Sequence, residues 1–228
     1  MSAELQKIDK LMKEKKYLEC EKILQKLPNC PEKAWRNARL IYAQIHAMPQ
    51  EPSKNYLQGA YQQAQFFLDE ALQKEPNHAN CLTWKGICIN QLSQLVGTDE
   101  RIKNSFKMRE LWDKSLSIDP YNQITESCLG IWCFTVADLP KIKRKFAKTF
   151  FTKPPESTFE EAIGHLHKAE KLDPDVLITT LITLAKCYQR LKNKPSAYEY
   201  CQKVLEFPNA GYEVAEAKDE AQKIMKNL

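Results

Sequence analysis

Apolar and small residues recur at helical spacing along most of the chain. In LAKCYQRLKNKPSAYEYCQKVLEFP, Leu184, Ala185 and Tyr188 line the inner side of one helix. Ala197, Cys201 and Val204 line one face of the next, at spacings of four and three. The same small–large–small pattern returns as Ala162, Leu166 and Ala169, and as Ala64, Leu68 and Ala71. Gly86 and Gly130 occupy small-residue positions where two helices approach closely, and Trp35 with Tyr42 fits the large positions of another unit. Proline closes each unit, at 28, 76, 120, 174 and 208, because it cannot continue a helix. The gaps are 48, 44, 54 and 34; the last is the tetratricopeptide period, and the others are that period with insertions of about 14, 10 and 20. One such pair cannot bury its apolar face alone, so the pattern predicts stacking. The expected fold is all-α, a single superhelical domain over 1–228. It has about five tetratricopeptide-like helical hairpins, the first short and degenerate over about 3–27, and a capping helix over 210–228.

Composition narrows the function classes. A 228-residue chain with 43% hydrophobic residues can bury a large core. Net charge is only +5, so any basic surface must be local. Six glycines and the absence of a Gly-rich phosphate loop, GxSxG or HExxH argue against an enzyme. The eight cysteines include no CxxC pair, which predicts free thiols in a reducing compartment, without disulfides, cofactor or structural metal. His165 and His167 lie two apart, about 200° around a helix, and do not share a metal. Trp84 and Trp132 read as core or repeat-interface residues, Cys128 and Cys133 as small packers. MSAELQKIDK is not a signal peptide, and no apolar window reaches membrane-spanning length, so stable membrane insertion is not expected.

Two features are left for function. LPKIKRKFAKTFF (139–151) lies in an insertion at 138–156, inside one repeat. On a helix from about 141 to 152, Leu139, Ile142, Phe146 and Phe150 share one face, with Lys141, Arg144, Lys145 and Lys148 opposite and Lys143 to one side. Such faces are most often simply solvated; the functional reading ranked next is a site for an acidic protein. Nucleic acid is disfavoured, since the phenylalanines lie on the apolar face and no recognition motif occurs. A membrane surface is equally disfavoured, since that face is more cheaply buried on the repeats. The second feature is the concave groove, where the repeat positions place Asn80, Thr83, Ile87 and Asn90, then Ile124, Ser127, Ile131 and Phe134, then Thr179, Ile182, Lys186 and Gln189. Of these, Asn80, Ile87, Asn90, Ile131, Phe134 and Lys186 are the candidate contacts. The groove lacks the Lys/Asn set of carboxylate-clamping chaperone adaptors. Its apolar centre suits a peptide helix or an acyl chain, and somewhat better the protein's own insertion.

CLGIWCFTVADL (128–139), KFAKTFFTKPPESTFEEAIGHLHKAEKLDP, LAKCYQRLKNKPSAYEYCQKVLEFP and the ending EAKDEAQKIMKNL resemble, in order and spacing, the regulator of microtubule dynamics family. The resemblance covers roughly residues 60–228. It implies a helical-repeat protein that associates with microtubules and affects their dynamics, with the acidic tubulin tails as partner of the basic face. Some members of the family carry an N-terminal membrane anchor or mitochondrial targeting; this sequence resembles the short, soluble kind. It is expected in the cytoplasm on the microtubule cytoskeleton, at the spindle and spindle poles. The alternatives are a lipid-binding or transfer module using the apolar groove, and an adaptor that reaches microtubules through another protein.

Overall fold

The structure is a computed structural model that describes residues 2–140, 156–173, 177–208 and 210–228, without the side chains of Thr98 and Asp99. Among the described residues there are eleven helices and no strands: α1 (Ser2–Lys13), α2 (Tyr17–Lys26), α3 (Pro31–His46), α4 (Lys54–Lys74), α5 (Ala79–Val96), α6 (Thr98–Ile118), α7 (Gln123–Ala137), α8 (Phe159–Leu172), α9 (Ile178–Arg190), α10 (Lys194–Leu205) and α11 (Tyr212–Lys226). Consecutive helices pack as hairpins, α1 with α2 through α9 with α10, and α11 packs on α9 and α10. The first helices of successive hairpins, α3, α5, α7 and α9, touch in series and form the inner layer. The chain is thus an all-α superhelical stack.

Local chemistry sets the helix ends. Ser53, Asn122, Thr158 and Asn193 each accept a hydrogen bond from the backbone N–H three residues on, capping α4, α7, α8 and α10. The His78 ring nitrogen caps α5 in the same way. Asn122 also donates to Asn80 at 2.9 Å, joining two repeats. Asn122→Ala removes the cap and this cross-link, and is expected to lower stability by roughly 1–2 kcal/mol, read from the midpoint of urea unfolding.

Packing follows the small–large–small pattern. Ala162, Leu166 and Ala169 are fully buried, as are Ala185, Ala197, Cys201 and Val204. Glycine is required at two crossings. A Cβ on Gly86 would lie 2.4 Å from Nε1 of Trp112, and one on Gly130 would lie 2.5 Å from Cγ of Leu166. The indoles add bonds within and between hairpins: Trp112 of α6 donates to the Thr83 carbonyl of α5 at 3.2 Å, and Trp132 of α7 to the Ser105 carbonyl of α6 at 3.0 Å. Thr83, Ser115 and Thr125 form a buried hydroxyl cluster between α5, α6 and α7, with separations of 2.6–3.2 Å. Each hydroxyl is satisfied there, as burial demands. The N-terminal hairpin has its own small core around Ile8, Cys20 and Leu24. It is fastened to α3 by Arg36, which pairs with Asp9 at 2.6 Å and with Glu32.

Candidate functional site

The α11 helix does more than cover the last repeat. Its N-terminus returns to the end of α3, so the superhelix closes on itself. Tyr212 N–H donates to the Met48 carbonyl at 2.8 Å. Gly211 makes the approach possible: its φ is 133°, and a Cβ there would lie 2.2 Å from the His46 carbonyl oxygen. Around this contact, Tyr212 Oη lies 3.2 Å from His46 Nδ1, and Tyr61 Oη lies 3.2 Å from His46 Nε2. Tyr42 donates to Oε1 of Glu213 at 3.3 Å, and the same oxygen is 3.3 Å from His46 Nδ1. The Tyr42 and His46 rings are 3.9 Å apart.

The closure forms one side of a solvent-open cavity of about 960 Å³, in the size range of small-molecule sites. Leu57, Ile102, Met108, Ile131 and Leu181 supply apolar wall; Trp84, Trp112 and Trp132 add aromatic surface. Polar and charged groups share the wall, Lys13, Lys15, Arg39, Arg101, Glu51 and Glu216 among them, and burial shifts several. Desolvation raises the Glu213 carboxyl to about 7 and lowers His46 to about 4. It raises Tyr212 to about 12, and pushes Tyr42 and Tyr61 above the ordinary phenol value. Arg39 and Arg101 both line the cavity, and burial lowers the basicity of each. Nε of Arg101 and Nε2 of Gln123 are buried without a hydrogen-bond partner among the described residues.

The sequence candidates are distributed as follows. Lys141, Lys143, Arg144, Lys145 and Lys148 lie outside the described residues. Ahead of them in the chain, Asp138 is held by Arg190 of α9 through two bonds of 2.6 and 3.0 Å. Ile87, Asn90 and Ile131 line the cavity. Asn80, Phe134 and Lys186 do not. Asn80 is held by Asn122; Phe134 packs on Phe159; Lys186 lies 5.7 Å from the Phe134 ring and pairs with Glu220 of α11 at 2.7 Å. The six groove candidates are therefore not one surface, because α11 crosses the inner face of α9 and takes up that end. Thr83 turns into the hydroxyl cluster and is fully buried. Trp84 and Trp132 are buried and also face the cavity. Cys133 is fully buried, whereas Cys128 is partly exposed and lines the cavity.

The Tyr42, His46, Tyr61, Tyr212 and Glu213 group escapes a reading of repeat positions. Its members come from α3, α4 and α11, and no periodicity links residues some 170 positions apart. The one local signal is Gly211 directly before a helix.

Comparison with known proteins places the chain. The family model for Regulator of microtubule dynamics protein 1-3 matches residues 4–228. Regulator of microtubule dynamics protein 1 of Bos taurus is 30% identical over 238 residues, covering 100% of this chain and 74% of that protein. Protein 3 of Bos taurus is 30% identical over 177 residues, covering 77% of this chain and 36% of that one. A thermophilic TPR protein of Thermus thermophilus superposes with a TM-score of 0.60 over 97% of this chain and 98% of its own, at 14% identity, which supports the tetratricopeptide-like fold. The chain belongs to the Regulator of microtubule dynamics protein 1-3 family.

Proposed function

We propose that this protein is a non-catalytic helical-repeat scaffold that binds microtubules directly and regulates their dynamics. The observation that carries this reading is membership of the family over residues 4–228, together with five cations clustered between 141 and 148. The relatives are named for regulating microtubule dynamics, and the acidic tails of tubulin match the basic segment in charge. Each exposed ion pair contributes roughly 0.2–1 kcal/mol, so several act together and are screened by salt. On this reading the protein is found in the cytoplasm on microtubules, including the spindle and its poles. It needs no cofactor and no nucleic acid.

Co-sedimentation with polymerised, purified tubulin tests the reading and separates direct binding from recruitment through an adaptor. Binding is expected, and raising the salt concentration should weaken it. Reversing the charge at Lys141, Arg144, Lys145 and Lys148 together should reduce affinity about tenfold with the far-ultraviolet circular dichroism unchanged. Undiminished binding by that variant would remove the basic segment as the site.

The cavity supports a second reading, a lipid-binding or transfer module. Its volume, apolar walls and two desolvated arginines suit an anionic amphiphile. Native mass spectrometry of the purified protein should then show a co-purified lipid mass. Arg101→Leu should lower its occupancy, and an apo mass alone would count against this reading.

A further inference from the structure

Cys133 on α7 and Glu161 and His165 on α8 hold their sulfur, carboxylate and imidazole donor atoms within 4.8 Å of one another. Glu161 and His165 are four residues apart and share one face of α8. Cys133 faces them across the crossing where Gly130 meets Leu166. The imidazole is already oriented. Its Nδ1 lies 2.6 Å from Oε2 of Glu126, a carboxylate only 1% exposed, and Lys168 holds the other Glu126 oxygen at 3.1 Å. That commits Nδ1 and leaves Nε2 for coordination. A carboxylate behind a histidine is the arrangement that fixes metal-binding imidazoles.

The charges agree. The ion pairs around the three donors bring in three carboxylates, Asp113, Glu126 and Glu161, against the two cations Arg109 and Lys168. Arg109 is held by both oxygens of Asp113, at 2.8 and 2.9 Å, and more loosely by Oε1 of Glu161, at 3.4 Å; the Ser157 hydroxyl donates to Oε2 of Glu161 at 2.6 Å, a contact the ion would share or displace. Ionising the Cys133 thiol leaves the group two charges negative, which a divalent cation neutralises.

We propose that Cys133, Glu161 and His165 form a binding site for a divalent cation of borderline softness, with Zn²⁺ the best match, and that Glu126 is its positioning residue. One sulfur, one nitrogen and one oxygen donor suit tetrahedral Zn²⁺, and three protein ligands leave the fourth position to water or an incoming group. Binding releases the thiol proton to solvent as the Zn–S bond forms. The ion ties α7 to α8 on either side of the 138–156 insertion, since α7 ends at Ala137 and α8 begins at Phe159. Cysteine spacing alone gives no sign of such a site, because its donors are contributed by two helices and by three residue types.

The test is a titration of chelator-treated, full-length protein with Co²⁺, followed by displacement with Zn²⁺. One tightly bound Co²⁺ per chain is expected, with thiolate-to-cobalt charge-transfer absorption and the intense visible bands of tetrahedral cobalt. Cys133→Ser should abolish the charge-transfer band, while Cys187→Ser, at a nearby buried thiol, should keep it. His165→Gln and Glu161→Gln alter partly exposed side chains and serve if Cys133→Ser fails to fold; each should lose tight binding. Glu126→Gln should weaken affinity about 10- to 100-fold and keep the spectrum, as expected for a group that acts through a ligand. Absence of tight binding, absence of the charge-transfer band, or binding unchanged in both His165→Gln and Glu161→Gln would overturn the proposal.

Discussion

Gly130→Val is expected to unfold at a much lower urea concentration than the parent chain, with a loss of about 3 kcal/mol, the upper end for overpacking. The added Cβ would lie 2.5 and 2.7 Å from two carbons of Leu166 and 3.1 Å from the Ala162 carbonyl oxygen. Leu166 is fully buried and cannot swing aside, and Ala162 belongs to the helix backbone. Relief therefore requires α7 and α8 to separate, which opens the crossing and its core contacts. Helix propensity works the other way, favouring alanine over glycine by about 1 kcal/mol, but the clash exceeds it. Gly59 provides the control. It lies in α4 with no atom within 4 Å of an added Cβ, so Gly59→Ala should raise stability by roughly 0.5–1 kcal/mol. Two glycine substitutions of opposite sign separate crowding at a helix crossing from any general effect of glycine. A Gly130→Val midpoint equal to the parent's would contradict the close α7–α8 approach.

The second large effect is a pair of opposed pH dependences at the α3–α11 closure. Burial raises Glu213 from its ordinary 4.5 to about 7, so its contribution to stability is complete below pH 4.5 and is lost as pH rises through 7. Burial lowers His46 from 6.5 to about 4, so its contribution is complete above pH 6.5 and is lost as pH falls through 4. Between these limits the folded pair carries one proton on Glu213, and the unfolded pair carries one on His46. The proton count is the same, so the two residues together give the parent chain little slope. Removing either partner uncovers the other. Relative to the parent, Glu213→Gln should lose roughly 2–3 kcal/mol as pH falls from 6.5 to 4, and His46→Gln a similar amount as pH rises from 4.5 to 7. Urea midpoints measured from pH 4 to 8 read both. Profiles parallel to the parent's in both variants would mean that the two groups are not desolvated together at the closure.

These two predictions rest on different sources of information. Gly130, Leu166 and Ala162 were legible from sequence, because the repeat forces a small residue opposite a large one wherever two helices cross. The end of α8 at Leu172, ahead of Pro174, was legible for a similar reason: a proline cannot continue a helix. The closure was not legible. His46 and Glu213 each look like an ordinary polar position on an amphipathic helix, and only the accumulated rotation of the stack brings them together. The groove shows the same division. Ile87, Asn90 and Ile131 do reach the cavity, since inner-helix positions repeat with the period. Lys186 is taken by Glu220, because α11 turns back across α9.

The sequence by itself determined the all-α class, the hairpin stack and its small-residue crossings, since these follow from spacing within about one repeat length; the family was legible as a resemblance of whole stretches in order along the chain. Tertiary structure alone decided what is enclosed and what meets. It placed Tyr212 and Glu213 against His46, brought two desolvated arginines to the wall of a mixed cavity, and set Cys133 beside Glu161 and His165. The physical reason is range: helix periodicity fixes which face of each helix is buried, whereas the partner of that face depends on the rise and turn summed over the whole stack.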